Sequence, residues 1–262
     1  MNTTGSQGEG ARIAVLCGGG PLPWIMVNAV IERFGPVTVI EEDKEPVAVL
    51  VRRRMKMLGA VSTMGQVAFG LFLKLMQKTS AGRKRQIMSA AGLNPAPCEN
   101  CTLNKVQSVN SEACRNALRQ AAPEVVLVCG TRMIGEKTLS CIDAPFMNYH
   151  AGINPAYRGM NGGYWALAHA DHINAGVTVH MVDKGVDTGG ILYTAPFKAE
   201  PGDNFVTYPF LQAAAGKPLV IKAVEDALSG RLITFNSELP SKQWFHPTLW
   251  LYFWYGLSRG VW

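Results

Sequence analysis

The sequence predicts an α/β fold: a mostly parallel, twisted sheet with helices on both faces. Three observations predict it. A β-type run at residues 12–17 breaks at Gly18, Gly19, Gly20 and Pro21 and continues as a helical pattern over 24–34. A second strand pattern, residues 37–40, follows that helix. Residues 124–129 form an unbroken β-branched run, as expected of a strand buried on both faces. Strands alternating with helices in this way form a Rossmann-like sheet, which binds ligands beyond the carboxyl ends of its strands.

The remaining elements follow in order. Residues 106–109 and 145–149 add strand patterns, and 111–121 is helical with Ser111 as its N-cap. Past Gly176, strands are expected over 177–182 and 190–197, a helical stretch from Pro201 to near Gly230, and a last short strand over 232–235. There is no internal repeat. Residues 11–235 thus read as one domain with a helical basic insertion at about 47–100, and residues 236–262 as an aromatic-rich C-terminal extension.

Composition excludes several classes. At 262 residues, 48% hydrophobic and 17% charged, the chain is too apolar to be disordered. Its 27 glycines and 15 prolines are ordinary, so it is not collagen-like. No run of about 18 uncharged apolar residues stands out, so no transmembrane helix is expected. Residues 1–10 lack the basic and apolar regions of a signal peptide, which predicts a cytoplasmic protein. Six cysteines are too few for a disulfide scaffold in a chain of this length. Cys17, Cys129 and Cys141 read as buried small hydrophobes. Cys98 and Cys101 lack a second pair, and His169 and His172 lack a third ligand, so no metal is expected.

The net charge of +6 is local. Between Pro46 and Cys98 there are nine Lys and Arg residues and no acidic one. That argues for one local anionic partner rather than for nucleic-acid binding.

The chemistry lies between Asn148 and Ile191. N-Y-H-A-G-I-N-P-A-Y-R-G occupies residues 148–159, and T-V-H-M-V-D-K-G-V-D-T-G-G-I occupies 178–191. Asn148 and His150, at i and i+2 at the end of a strand, share one side of an extended backbone. Asp187 sits in a tight loop before Thr188 and Gly189. A neutral donor, an imidazole and a carboxylate together suit attack of an amine on a carbonyl-type carbon. His180 reads as a strand histidine and Asp183 as a loop-orienting residue.

These two motifs, in this order, resemble the folate-dependent formyltransferase family, and most closely its amino-sugar N-formyltransferases. The resemblance is weak over residues 12–20 and strong over 124–230. It implies the formyltransferase fold and 10-formyltetrahydrofolate as formyl donor, with no metal. It implies that Asn148, His150 and Asp187 are catalytic. His150, protonated or donating, and Asn148 would stabilise the oxyanion, while Asp187 would orient His150 and accept a proton. The pterin would lie between residues 129–135 and 183–190, against Gly130, Arg132, Met133, Ile134, Asp183 and Gly189. Gly18, Gly19 and Gly20, at a strand-to-helix turn, would hold an acceptor phosphate, with Arg158 nearby.

The acceptor is expected to be a small molecule with a primary amine, an amino sugar on a nucleotide or lipid carrier for a cell-surface polysaccharide. The RNA-directed members carry a further C-terminal domain for which the residues after Gly230 leave little room. The purine-pathway members, which act on glycinamide ribonucleotide, lack the basic insertion and the aromatic tail. A formyltetrahydrofolate hydrolase and a non-catalytic folate- or nucleotide-binding module are the rival readings; intact Asn148, His150 and Asp187 argue against the second. The basic insertion reads first as a helical subdomain packed on the sheet, because apolar helix faces are usually core. The alternative is a peripheral membrane contact through residues 52–85 at the inner face of the membrane, aided by the aromatic tail. The tail is equally compatible with a homo-oligomer contact.

Overall fold

A computed structural model describes residues 10–99 and 101–262. The signal-peptide expectation rests largely on residues 1–9, which lie outside the described residues. In chain order the elements are β1 (Ile13–Cys17), α1 (Pro21–Phe34), β2 (Thr38–Glu42), α2 (Val47–Thr79), α3 (Ala81–Ala90), β3 (Thr102–Val106), α4 (Glu112–Ala121), β4 (Val125–Cys129), α5 (Glu136–Leu139) and β5 (Phe146–His150). They continue with β6 (Arg158–Gly159), α6 (Gly162–Ala168), β7 (Gly176–Met181), β8 (Ile191–Pro196), α7 (Tyr208–Leu228), β9 (Gln243–Trp244) and α8 (Leu249–Arg259).

Seven strands form one sheet in the order β3-β2-β1-β4-β5-β7-β8. The first five are parallel, β7 runs antiparallel to β5, and β8 runs antiparallel to β7. Strand alternation divides the core. Val15, Val39, Leu127 and Met147 face α1 and α7, while Ala14, Leu16, Val126 and Phe146 face Cys114 and Leu118 of α4. Ser111 caps α4, its side chain accepting from the Cys114 N–H.

Several elements differ from the expectation. The edge strand β3 lies at Thr102–Val106, four residues before the expected 106–109 run. Its side chains are largely exposed, so its sequence carries little apolar signal. Residues 232–235 form no strand: Phe235 makes one isolated bridge to Ile191. Cys141 is half-buried rather than buried. The helix expected from Pro201 starts at Tyr208, because Asp203, Asn204 and Thr207 are spent on a turn of side-chain hydrogen bonds.

The basic insertion is α2 and α3. α2 bends where Gly59 takes a left-handed φ of 80°. It also corrects the membrane expectation from sequence, since it is long and apolar enough, by length and composition, to cross a membrane. Its second half packs not on the sheet but on α8 and α6. Phe69 meets Tyr252 at 4.9 Å and Phe205 at 4.8 Å, and Phe72 meets Phe253 at 5.3 Å. Trp165 and Trp244 stack at 4.8 Å in the same cluster. Insertion and tail therefore share one aromatic core, which neither could form alone.

β1 and β4 lead into loops that cross closely. The Gly18 N–H donates to Cys129 O at 3.1 Å, and a Cβ on Gly18 would stand 2.1 Å from Gly130 O. Gly18→Ala should therefore lower stability by about 1–3 kcal/mol, read as a shift in the urea midpoint.

Candidate active site

The site begins with strand alternation. Asn148 and His150 stand on one side of β5, and the antiparallel register sets His180 opposite Asn148 and Thr178 opposite His150. Their neighbours Met147 and Val179 point into the core on the other side. Helix α4 covers this face of the sheet over β2 and β3, and the loop after β7 reaches the polar row on β5 and β7.

That loop is built to present Asp187. Asp183 Oδ1 accepts from the Gly185 N–H at 3.0 Å and from Thr188 Oγ1 at 2.7 Å, closing a tight turn. Asp187 takes a left-handed φ of 51°, which Asp tolerates better than most residues. Its Oδ1 accepts from Asn148 Nδ2 at 3.2 Å, and its Oδ2 accepts from the Gly159 N–H at 2.8 Å. His150 Nδ1 lies 3.5 Å from Oδ2, and His180 Nε2 lies 3.4 Å from Oδ1. Burial by itself raises the Asp187 pKa, but the two imidazoles and the Gly159 N–H outweigh it and hold the carboxyl at about 2.

The same bonds fix the imidazoles. His150 Nε2 lies 2.8 Å from Tyr157 O, and a carbonyl only accepts, so Nε2 carries the hydrogen. Burial pushes the His150 pKa below 6.5 by more than Asp187 raises it. Burial thus favours the neutral ring, with Nε2 donating to Tyr157 O and Nδ1 turned to Asp187 at 3.5 Å, the donating one of the two forms expected from sequence. Gly152 makes the approach possible, because a Cβ there would stand 2.6 Å from His150 Nε2. His180 donates from Nδ1 to Met181 O at 2.8 Å, leaving Nε2 to accept from Asn148 Nδ2 at 3.1 Å. Both hydrogens of the Asn148 amide are thus engaged, so Asn148 is not the free donor expected from sequence.

Sequence reasoning underrated His180. The signal was present: Thr178 and His180 are polar at i and i+2 between buried Val177 and Val179, the mark of a strand with one functional face. It also passed over Thr178 itself. The fully buried Thr178 Oγ1 donates to Gly152 O at 2.8 Å and accepts from the Asn154 N–H at 3.1 Å, anchoring the loop after His150. Asn154 is buried, and neither atom of its amide has a partner among the described residues. With Asp187, Thr188 and Gly189 it lines a cavity of about 280 Å³.

The other expected binding residues divide. Lys184, within 183–190, pairs through Nζ with Glu136 Oε1 at 2.7 Å, at the start of α5 just past residues 129–135. On the first loop Met133 is exposed, but Ile134 is buried in the core and presents only its backbone. The Arg132 guanidinium is committed to Glu42 at 2.9 Å and to Asp43 O at 3.1 Å, so it fixes the loop instead of reaching a ligand. Gly130 takes a left-handed φ of 68° where that loop leaves β4. A Cβ on Gly189 would stand 1.8 Å from Met181 O, so Gly189 serves loop closure. Arg158 donates to Val186 O at 2.8 Å and to Ser241 Oγ at 3.0 Å, clamping the Asp187 loop. At Gly18, Gly19 and Gly20 the expected phosphate site fails on charge. The Glu41 carboxylate packs against Gly19 and accepts from Trp24 Nε1 at 3.1 Å, placing a negative charge at the turn.

A family model described as formyl transferase matches residues 61–223. The chain belongs to the formyl transferase family. A methionyl-tRNA formyltransferase of Halothermothrix orenii is 31% identical over 127 residues, covering 48% of this chain and 40% of that one. The chain spans about half the length of the curated relatives it matches. A sugar N-formyltransferase from Shewanella sp FDAARGOS_354 shares the fold with a TM-score of 0.54 at 14% identity, over 89% of this chain and 76% of that one. An N-formyltransferase from Helicobacter canadensis, solved with folinic acid and dTDP-3-aminofucose, does so at 0.52 and 13%, over 89% and 70%.

The depressed Asp187 pKa has a measurable consequence. Its contribution to stability is fully present above the unfolded value of 3.8 and is lost as pH falls through about 2. The stability gap between the parent chain and Asp187→Asn should therefore shrink by about 2 kcal/mol between about pH 5 and about pH 2 in urea titrations.

Proposed function

We propose that the protein transfers a formyl group from 10-formyltetrahydrofolate to the primary amine of an amino sugar carried on a nucleotide. The observation that carries this reading is the convergence of Asn148, His150 and His180 on one buried carboxylate, Asp187. Membership of the formyl transferase family supports the reaction. The sugar N-formyltransferase from Shewanella and the Helicobacter canadensis structure with its folinic acid and dTDP-sugar support the donor and the acceptor.

The residues present fit a folate donor. On residues 129–135 exposed Met133 offers apolar surface and the loop backbone offers polar contacts. The buried Asn154 amide beside Asp187, without a partner among the described residues, offers a donor and an acceptor to a ligand in that cavity. The folate supplies the formyl carbon, and transfer exchanges its C–N bond for a new C–N bond to the acceptor amine.

His150 takes the amine proton on Nδ1 in this scheme and returns it to the departing folate nitrogen, so that tetrahydrofolate leaves as a neutral amine. Asp187, held at about 2, is a weak base near pH 7 and serves instead as the counter-charge 3.5 Å from the new imidazolium. The Tyr157 carbonyl holds that ring from the far side. Asn148 offers its Oδ1 to the incoming amine. One of its hydrogens turns to the oxyanion by leaving His180 Nε2 or Asp187 Oδ1.

Tetrahydrofolate release from 10-formyltetrahydrofolate, with and without a panel of nucleotide-linked amino sugars, tests the reading. Release dependent on one amino sugar is the expected result, and release without any amine would overturn it in favour of hydrolysis. Asn148→Ala and His150→Ala should each lower kcat/KM by about 10²–10⁴-fold. Because neutral His150 is the base, kcat/KM should fall on acidification through a pKa below 6.5 and be flat near neutrality. Activity of His150→Ala equal to that of the parent chain would remove His150 from that role.

A further inference from the structure

The helix α2 is turned inside out for a helix facing water. Over its second half, polar Thr63 and Gln66 are buried, 2% and 6% exposed. Val61, Met64, Leu71 and Leu75 are 71%, 70%, 62% and 61% exposed. Their spacing of three, seven and four residues puts them on one face. The inner face is occupied: Phe69 and Phe72 pack on α8, and Gln66 Nε2 donates to His246 O at 2.8 Å. The outward stripe has no partner among the described residues. α8 lies alongside, so close that a Cβ on Gly65 would stand 2.3 Å from the Trp250 ring. It adds exposed Trp250, Trp254 and Leu257.

We propose that this face is a membrane-binding surface that seats in the plane of an anionic bilayer, independently of which amine is formylated. Charge decides the occupant. The segment between Pro46 and Cys98 carries nine Lys and Arg residues and no acidic residue; Arg53 is paired with Glu45 and Arg83 with Glu200 and Asp203, while exposed Lys74 and Lys78 flank the apolar stripe. A second copy of the chain would bring two such basic faces together and be repelled, whereas anionic headgroups complement the charges while their acyl chains take up the stripe. Tryptophans at the rim suit the headgroup boundary. The helix packs along the domain through Phe69 and bends at Gly59, so it lies in the surface and does not span it. Its first half reaches the site: Arg54 contacts Met160, the residue after the Gly159 whose N–H holds Asp187. Docking therefore sets the candidate active site beside the lipid.

Flotation of the full chain tests this, with vesicles of phosphatidylcholine alone and of three parts phosphatidylcholine to one part phosphatidylglycerol, at low ionic strength. The chain should float with the anionic vesicles, and its tryptophan emission should shift to the blue. Leu71→Glu with Leu75→Glu should abolish flotation. Lys74→Gln with Lys78→Gln should weaken partitioning on the order of twentyfold, since each basic residue at such a surface contributes roughly fivefold. All four positions are exposed, so circular dichroism and the thermal midpoint should be unchanged. Absence of flotation by the parent chain overturns the proposal, as does flotation that survives the glutamates. A dimer in light scattering that the glutamates dissociate, without vesicle binding, would assign the stripe to a second copy.

Discussion

The site depends on one buried carboxylate. Asp187 receives the Asn148 amide and the Gly159 N–H, and both imidazoles stand within 3.5 Å of it. An ionised carboxylate removed from water is tolerated only when it is surrounded by donors and positive potential. Here that demand orders the surroundings. Gly159 lies on β6, the Asp183 turn sets the backbone of Asp187, and Arg158 clamps the loop from outside. The carboxylate also decides the imidazoles, because a ring that gains a proton here finds its counter-charge already in place.

A second constraint is the aromatic core. α3 joins the sheet core through Ile87, but neither the second half of α2 nor the C-terminal segment has a sheet to pack on, so each buries its aromatics against the other and against α6. Trp165 Nε1 donates to Phe245 O and Trp244 Nε1 to Ala156 O, so the indoles that fill this core are also satisfied within it. Through Trp244 the C-terminal segment reaches back to the loop that follows His150. β9 pairs with β6, and the Met160 N–H donates to Trp244 O. What reads in sequence as trimming is part of the wall of the site.

The sheet was legible in the sequence wherever burial is two-sided. β1 and β4 are buried at every position, and their unbroken apolar runs say so. β3 was misplaced because it is an exposed edge strand, whose pattern is set by its pairing with β2 instead of by a core. Asn148, His150 and Asp187 were legible because short loops and strand alternation bring them together from nearby stretches of chain. The glycine turn misled, because its spacing suits an anion and nothing local reveals the Glu41 carboxylate that arrives from β2.

The sequence by itself determined the α/β layering, the parallel strands and the identity of the polar row, since periodicity and strand alternation are local properties of the chain. Only the tertiary structure decided which hydrogens are free, which nitrogen of each imidazole donates, and which face of α2 meets solvent. Those follow from long-range pairing: His180 across β5, Glu42 on Arg132, Tyr252 against Phe69. Hydrogen-bond partners and desolvation depend on atoms far apart in sequence, and no periodicity records them.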